Sequence, residues 1–331
     1  MPTNNLNTIA IIIPTLNEER FIESCLASVR QQSYPFSKMD VMVIDGGSTD
    51  RTCEIVRALI TDYPNIRLIN NPQRFQSAAF NIGVAASNAP YIIRLDAHAT
   101  YDTNYIERCI TLLTDHPEYG NVGGICEILP QNNSLTAEAI ALLNHLPFGI
   151  GGAAFRVATT AQDVDSVPFG AFRREVVEQI GDMRADLARG EDNEYNARIR
   201  HAGFTVRLDP TIRSSYFARA TWAAICRQMY LNGVSIGQLF FIDRSAIGLR
   251  HIVPLAFVSV LILAAILACF TAIGLYLFAA ILIAYLFAAL IADIRACCQH
   301  GWRFFFILLP LFLSVHIAYG LGTIRGLINR S

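Results

Sequence analysis

The stretch that decides the fold is residues 40–50, Asp-Val-Met-Val-Ile-Asp-Gly-Gly-Ser-Thr-Asp, together with the apolar run Thr8–Ile13 that precedes it. The run Thr8–Ile13 is continuously apolar and rich in β-branched residues, which predicts a strand buried on both faces. Residues 40–44 predict a second strand, which ends at the turn-forming residues 45–50. Helical spacing follows each run, over residues 18–31 and 51–60. Strands that alternate with helices at this spacing predict a parallel, doubly wound α/β sheet.

The alternation continues with strands predicted over residues 66–69 and 91–95 and a helix over residues 77–86. In sheets of this kind a ligand binds at the carboxyl ends of the strands. The sequence therefore predicts a site at one edge of the sheet, where the strand ends carry Pro14-Thr15, Asp45 and Asp96-Ala97-His98.

Residues 104–213 are less regular. They predict a helix near 105–113, a glycine-rich strand near 122–128 and helices over 173–180 and 192–201. Gly149–Gly152 and the polar residues after it are predicted to form a mobile lid over the site.

The carboxyl-terminal part of the chain is strongly apolar. Residues 252–292 contain no Asp, Glu, Lys, Arg or His, and this stretch of about 41 residues has room for two membrane spans, since one span needs about 20 residues. We predict a catalytic domain over residues 1–215, an amphipathic, interfacial connector over 216–250 and a membrane domain over 251–331. The connector either lies along the membrane surface or packs as an ordinary domain helix. The predicted spans cover about 252–270, 274–292 and 304–323.

The positions of basic residues predict the orientation of these spans. Arg244 and Arg250 precede the first span, Arg295 and Arg303 lie between the second and third, and the turn near 271–274 has no basic residue. The positive-inside rule then places the amino-terminal part in the cytoplasm of a multi-pass inner or plasma membrane protein. A complete third span would put the basic residues after it outside, so a tilted or partly re-entrant third segment is the alternative. These residues are Arg325 and Arg330.

Charge, cysteine spacing and the amino terminus exclude several classes of protein. The formal net charge of -1 offers no basic field for nucleic acid. The eight cysteines form no CxxC pair and no metal-ligand spacing with histidine, which suits a reducing compartment. The early apolar run is too short for a signal peptide and lacks a basic start.

The triplet Asp96-Ala97-His98 follows a predicted strand, so its carboxylate and imidazole can both face a divalent ion that bridges a diphosphate. The alternative is a solvated turn. Asp45 ends another strand and can accept hydrogen bonds from a base or a ribose, although a carboxylate stabilised by the following helix dipole explains it equally well.

Three further positions have two interpretations each. Glu191-Asp192 opens a helix, where a carboxylate can remove a proton from an attacking hydroxyl or simply stabilise the helix start. Arg227-Gln228 lies on an amphipathic segment and either contacts the diphosphate or acceptor or faces lipid headgroups. His316, in the third apolar segment, faces either an acceptor lipid or a partner on a neighbouring helix.

Together, these motifs resemble the family 2 glycosyltransferases of the GT-A fold. The motifs that carry the resemblance are Pro14–Glu19, Val43–Asp50, Asp96–His98 and Glu191–Asp192, and it extends over about residues 8–230. The Arg-Leu-Asp-Ala-His-Ala sequence and the three-segment tail resemble the succinoglycan-biosynthesis branch of bacterial exopolysaccharide enzymes.

The resemblance implies an inverting transfer from a nucleotide-diphosphate sugar, UDP by default, with Mg²⁺ or Mn²⁺. It implies that Asp192 is the base, that Asp96 and His98 bind the metal, and that Glu191, Arg227 and Gln228 are candidates for contacts with the acceptor or diphosphate. Because His98 replaces the usual aspartate of D-x-D, Mn²⁺ suits the site better than Mg²⁺. The implied nucleotide-sugar-binding residues are Pro14, Thr15, Leu16, Glu18, Asp45, Arg74, Asp96 and Ala97.

The Q-x-x-R-W signature of processive synthases is absent, because Arg227-Gln228-Met229-Tyr230 stands near its place. We therefore expect the addition of a single sugar to a polyprenyl-linked saccharide during surface-polysaccharide assembly. The alternatives are a polyprenyl-phosphate monosaccharide synthase and a non-catalytic membrane scaffold with a nucleotide-sugar-binding domain.

Overall fold

The computed structural model describes residues 9–150, 152–187 and 189–329, so Arg330 lies outside the described residues. The chain forms two compact units: one combines residues 1–127 with 157–216, and the other combines 128–156 with 217–331. Segment 128–156 therefore clusters with the carboxyl-terminal part of the chain, and the domain bounds of 1–215, 216–250 and 251–331 stay a prediction.

Four parallel strands form one half of the sheet in the first unit. They are β1 (Ile9–Thr15), β2 (Met39–Asp45), β3 (Ile66–Asn70) and β4 (Tyr91–Arg94), in the order β3-β2-β1-β4. Every residue of β1 and β2 is buried, as the apolar run of β1 predicts, and in β2 the burial includes Asp40 and Asp45. The parallel sheet predicted from the alternation of strands and helices is confirmed for this half.

Helices α1 (Ile22–Arg30), α2 (Thr52–Asp62), α3 (Gln76–Ala85) and α4 (Tyr105–Asp115) connect or flank these strands. The first helix begins at Ile22, later than the predicted residue 18, and the backbone N–H groups of residues 17–19 donate to side chains of residues 48–52.

The other half of the sheet is antiparallel. It contains β5 (Ala99–Tyr101), β6 (Tyr119–Leu129), β8 (Ala171–Arg173) and β9 (Thr205–Phe217), in the order β4-β8-β6-β9-β5, and the short β7 (Gln162–Asp163) pairs with β9. Helices α7 (Arg174–Ile180) and α8 (Glu191–His201) follow β8 in the chain. Of these strands only β6 was predicted, because short strands that pair far along the chain leave little periodicity.

The second unit is helical. It contains α5 (Leu135–Leu143), α9 (Trp222–Ile242), α10 (Leu249–Ala268), α11 (Ala272–His300) and α12 (Phe305–Ile328), and the short α6 (Ala154–Val157) lies at its boundary. The segments Leu249–Ala268, Ala272–His300 and Trp302–Ile328 are each long and apolar enough to cross a membrane.

His316 of α12 has a partner on a neighbouring helix. Its Nδ1 lies 2.8 Å from the hydroxyl oxygen of Tyr285 on α11, and the ring of Phe148 packs edge-on against both His316 and Phe312. The interhelical alternative for His316 therefore holds. Of the predicted lid, Gly151 lies outside the described residues, and the residue just before the lid, Phe148, is anchored on α11 and α12.

Helices α9 and α12 approach so closely that only glycine fits at the contact. A β-carbon at Gly237 would lie 2.4 Å from the carbonyl oxygen of Thr323 and 2.7 Å from the Cα of Gly326. A β-carbon at Gly322 would lie 2.0 Å from the carbonyl oxygen of Tyr230. Small residues spaced four apart allow this kind of backbone contact in membrane proteins.

We expect Gly237→Ala to destabilise the protein. The substitution gains about 1 kcal/mol of helix propensity, but the added methyl group must separate two backbones, which costs roughly 1–3 kcal/mol when packing cannot relax. The measurement is the unfolding temperature of the purified protein in detergent. The control is Gly152→Ala, where a β-carbon would meet Arg250 only at an ordinary 3.7 Å. Equal unfolding temperatures for the two variants would contradict the close contact.

Candidate active site

The turn after β2 is built around the Asp45 carboxylate. One of its oxygens accepts hydrogen bonds from the backbone N–H groups of Gly47 (2.9 Å) and Ser48 (3.0 Å), and the Ser48 hydroxyl donates to the other. Asp45 is buried. The structure therefore gives Asp45, the last residue of β2, a local role in holding the turn that follows it, and its binding role stays a prediction.

The loop after β1 is fastened to this turn. The Asn17 backbone N–H donates to the Ser48 hydroxyl (2.8 Å), and the Asn17 side-chain oxygen accepts from the Thr49 N–H (2.8 Å). The Glu18 N–H donates to the hydroxyl of Thr52 (2.8 Å) at the start of α2. Asn17 has a φ of 57°, a left-handed conformation that the cross-links hold in place.

Arg74 also reaches this turn. Its φ of 65° is unusual for a residue with a side chain. A β-carbon placed on Gly46 would lie 3.4 Å from the Arg74 Cα, 3.5 Å from the Thr15 carbonyl oxygen and 3.7 Å from the Leu16 Cβ. The structure thus gathers several of the predicted nucleotide-binding residues around one turn; Pro14, beside Thr15 in β1, is buried.

The predicted Asp96-Ala97-His98 element follows β4. The Asp96 backbone N–H donates to the Tyr101 hydroxyl (2.8 Å), and Ala97 is buried. His98 Nδ1 lies 2.9 Å from a carboxylate oxygen of Glu18, and since an ionised carboxylate can only accept, this ring nitrogen donates. Glu18 therefore contacts the histidine of this element, which links the loop after β1 to the loop after β4.

Arg94, the last residue of β4, connects the acidic residues of the site. One of its terminal nitrogens donates to Gln76 (2.7 Å), lies 3.3 Å from the Asp96 carboxylate and lies 3.8 Å from the Glu191 carboxylate. Burial opposes the charge on this guanidinium, but Asp96, Glu191 and Asp192 outweigh burial and raise the pKa of Arg94. A buried cation of this kind is stable only when anions compensate it.

Glu191 and Asp192 open α8 directly after Gly190, whose φ of 74° turns the chain into the helix. Glu191 is buried, and burial, with a further contribution from the charge of Asp192, raises the pKa of Glu191 to about 7. Asp192 is only half-buried, and one of its oxygens accepts from the backbone N–H of Asn193 (2.9 Å). Of the two carboxylates, Asp192 is thus the one that is more accessible to a reactant.

Arg227 and Gln228 lie on α9 of the second unit, where Arg227 is exposed and Gln228 half-buried. Their part in the site stays a prediction.

The sequence predictions missed Arg94, Gln76 and Tyr101. A signal for Arg94 was available, because a charged residue in an otherwise apolar strand needs a partner and Asp96 stands two residues later on the same face. Gln76 and Tyr101 carried no such signal, since each becomes a partner only through the tertiary structure.

Asp96 and His98 have the side-chain chemistry of ligands for a divalent cation whose remaining ligands come from a substrate. Among the described residues, no group of three or more His, Cys, Asp or Glu side chains is arranged to hold a metal. Asp96 and His98 supply a carboxylate and an imidazole at one edge, and Mg²⁺ or Mn²⁺ commonly completes its coordination with substrate phosphates and water.

A half-parallel sheet with acidic residues at the carboxyl ends of its strands defines the GT-A fold of nucleotide-diphospho-sugar transferases. The solved mannosyltransferase PcManGT from Pyrobaculum calidifontis, in complex with GDP-Man and Mn²⁺, has this fold and matches 95% of this chain and 87% of its own, with a TM-score of 0.61 and 21% identity.

The sequence profile described as glycosyl transferase family 2 matches residues 10–181, and the chain belongs to that family. A glucuronosyltransferase of Methanococcus voltae that acts on dolichyl N-acetyl-α-D-glucosaminyl phosphate is 27% identical over 98% of both chains. The succinoglycan biosynthesis protein ExoA of Rhizobium meliloti is 31% identical over 74% of both. The family and the branch that the sequence motifs suggested are confirmed, and the protein is a glycosyltransferase.

We expect Arg94→Gln to destabilise the first unit strongly. The change leaves the carboxylates of Asp96 and Glu191 largely buried without their cation, and removing one partner from a buried ion pair costs roughly 3–5 kcal/mol. The measurement is the unfolding temperature. Arg51→Gln serves as the matched control, because Arg51 pairs with Glu54 on the surface, where both side chains are about two-thirds exposed, and it should leave that temperature unchanged. Equal effects of the two variants would refute the role given to Arg94.

The raised pKa of Glu191 predicts a pH-dependent stability. Since its folded pKa of about 7 lies above the unfolded value of 4.5, the folded protein binds the extra proton, and stability falls as pH rises from about 4.5 to 7. Glu191→Gln removes this loss, so the unfolding temperature of the variant relative to wild type should rise between pH 5 and pH 8, by an amount equivalent to roughly 1–3 kcal/mol. The comparison is made with a chelator present. A difference that does not change with pH would contradict the assignment.

Proposed function

We propose that the protein transfers a sugar, with inversion, from a nucleotide-diphosphate donor, a UDP-sugar by default, to a hydroxyl group of a lipid-linked saccharide in exopolysaccharide or other surface-glycan biosynthesis. The observation that carries this proposal is the contact of Arg94 with both Asp96 and Glu191, because it joins the predicted diphosphate end of the site to the residue that directly precedes the predicted base, Asp192. The dolichyl-phosphate-linked substrate of the Methanococcus voltae relative supports a lipid-linked acceptor, and the part of Rhizobium meliloti ExoA in succinoglycan biosynthesis supports a surface glycan.

In this proposal the turn at the ends of β1 and β2 binds the nucleoside. Thr15, Leu16 and Arg74 surround Gly46, and the cross-linked loops hold the backbone in one conformation before the donor arrives. Asp45 fixes the turn and accepts a hydrogen bond from the base or the ribose. Pro14 and Glu18 complete the set, and Glu18 acts at the junction with His98.

Asp96 and His98 would hold a divalent cation together with the donor diphosphate. The bound cation would neutralise the charge that develops on the leaving nucleoside diphosphate. Two solved GT-A structures that contain Mn²⁺, PcManGT and GalNAc-T7, support a divalent cation. The hydrogen bond between His98 Nδ1 and Glu18 (2.9 Å) would orient the imidazole for this role.

Asp192 is the proposed base. It accepts the proton of the acceptor hydroxyl while the hydroxyl oxygen forms a bond to the anomeric carbon and the bond from that carbon to the diphosphate breaks, so an α-linked donor gives a β-linked product. Glu191 suits this task less well, because it is buried, faces Arg94 and has a pKa raised to about 7. We assign Glu191 to fixing Arg94 and the start of α8.

The acceptor side of the proposal involves the second unit and the membrane. Arg227 and Gln228 are proposed to contact the acceptor or the diphosphate. The apolar helices anchor the enzyme in the inner or plasma membrane, and the basic residues at the ends of these helices support a cytoplasmic catalytic domain. A lipid-linked acceptor is then available at the same membrane surface.

We expect Asp192→Asn to reduce sugar transfer by roughly 10²–10⁴-fold, the usual contribution of a general base, while nucleotide binding persists. Transfer is measured as nucleoside diphosphate release with membrane lipid extract as acceptor, and binding as thermal protection by UDP with Mn²⁺. The control is Asp62→Asn, which makes the same change at an exposed residue at the end of α2.

Normal turnover by Asp192→Asn would remove the assigned base. The same assay separates the alternative functions. Release of nucleoside diphosphate with bare polyprenyl phosphate as the sole acceptor would indicate a monosaccharide synthase. The absence of both turnover and nucleotide protection in the wild type would favour the non-catalytic scaffold.

A further inference from the structure

Helices α9 and α12 lie side by side and run in the same direction. Tyr230 of α9 meets Gly322 of α12, and further along both helices Gly237 meets Gly326. Residue numbers increase in the same direction along both helices from one contact to the next, so the helices are parallel. If α12 crosses the membrane, α9 must therefore enter the membrane beside it.

This register places a charge beside the middle of α12. A β-carbon at Gly326 would lie 2.1 Å from the Val234 carbonyl oxygen, and Arg227 precedes Val234 by about two helical turns, which is about 10 Å. Arg227 therefore lies at the level of residue 319 or slightly before it, close to the midpoint of Phe305–Ile328. The Arg227 side chain is exposed.

A transmembrane α12 would thus carry an exposed guanidinium to the centre of the bilayer. That location costs at least about 2.5–3.5 kcal/mol, and half of the hydrocarbon core, about 15 Å, is too far for an arginine side chain to reach back to the interface. The length and composition of α12 allow it to span the membrane, but the cost of burying Arg227 of the neighbouring α9 in the bilayer disfavours a span.

The hairpin of α10 and α11 supports the same conclusion. Gly320 of α12 meets Pro254 and Val258 of α10, and His316 meets Tyr285 near the middle of α11. Beyond these points the tip half of the hairpin exposes large apolar side chains, with Phe270 81% exposed. The tip half therefore has the surface of a lipid-embedded hairpin, whereas α12 packs against its base.

The exposed face of α12 suits the surface of a bilayer. It is a narrow apolar stripe that includes Phe306, Leu321 and Ile328, and it also carries the exposed Arg325. Apolar side chains beside arginines are typical of helices that lie in the interface, with the apolar residues toward acyl chains and the cations toward anionic headgroups. The partner of this face is the leaflet that the hairpin enters, because short connections join α9 to α10 and α11 to α12.

We propose that α9 and α12 lie together along the membrane surface, that only α10 and α11 cross the bilayer, and that both ends of the chain are on the same side. This arrangement keeps Arg325 on the same side as Arg250 and Arg303 and removes the conflict with the positive-inside rule that a third span creates. The proposal does not depend on the catalytic assignment.

The first test determines the sidedness of three epitope tags in the full-length protein, one at the amino terminus, one at the carboxyl terminus and one in the turn at residues 269–271. In sealed vesicles of known orientation, an added protease should remove the two terminal tags together and spare the tag in the turn. Terminal tags that are accessible in opposite orientations would overturn the proposal. A turn tag on the same side as both termini would also overturn it, since the hairpin would then not cross.

The second test distinguishes a surface helix from one that dips into the bilayer and returns. Nitroxide labels are placed one at a time at Phe306, Leu321 and Ile328, and their depth is measured from collisions with oxygen and with a polar relaxation agent. Labels at the exposed Leu263 and Ile283 of the hairpin are the deep controls. We expect the three α12 labels to share one shallow depth. A depth that changes along α12 by about 1.5 Å per residue would overturn the proposal.

Discussion

The buried charge of Arg94 is the constraint on which the first unit depends. A guanidinium removed from water needs anions and hydrogen-bond acceptors, and here Gln76, Asp96 and Glu191 all contact one of its terminal nitrogens. These partners come from α3, from the residues after β4 and from the start of α8. One side chain therefore fixes the mutual position of three separate segments, and two of those segments carry the residues proposed to act on the diphosphate and on the acceptor hydroxyl.

Cross-linking of loops provides a second level of order at the same edge. Side chains of the loop after β1 bond to the loop after β2, and Glu18 extends this network to His98 after β4. Asn17 and Arg74 adopt left-handed conformations that cost free energy and persist because their surroundings determine them. A nucleotide that binds here meets a backbone that is already ordered, so it does not have to supply the entropy of ordering these loops.

The second unit depends on a different force. Close backbone packing of small residues is a main source of attraction between helices in membrane proteins. The glycines of α9 and α12 provide that packing. The same contact couples a helix that contains Arg227 to one that is apolar enough to span, and this conflict is resolved when both lie at the interface.

The sequence by itself determined the parallel half of the sheet, the edge that carries the polar residues, the family and the apolar character of the tail. These follow from local patterns, because buried strands, turn residues and apolar segments leave their signature within a few neighbouring positions. The antiparallel half of the sheet, the role of Arg94 as the link between Asp96 and Glu191, and the pairing of Glu18 with His98 were decided only by the tertiary structure. The register of α9 on α12 was also decided only by the tertiary structure. The apolar composition of α12 does not say whether α12 crosses the bilayer, and this register bears on that question. Each of these joins residues that are distant in sequence or depends on such a contact, and the burial that makes such contacts matter exists only once the chain has folded.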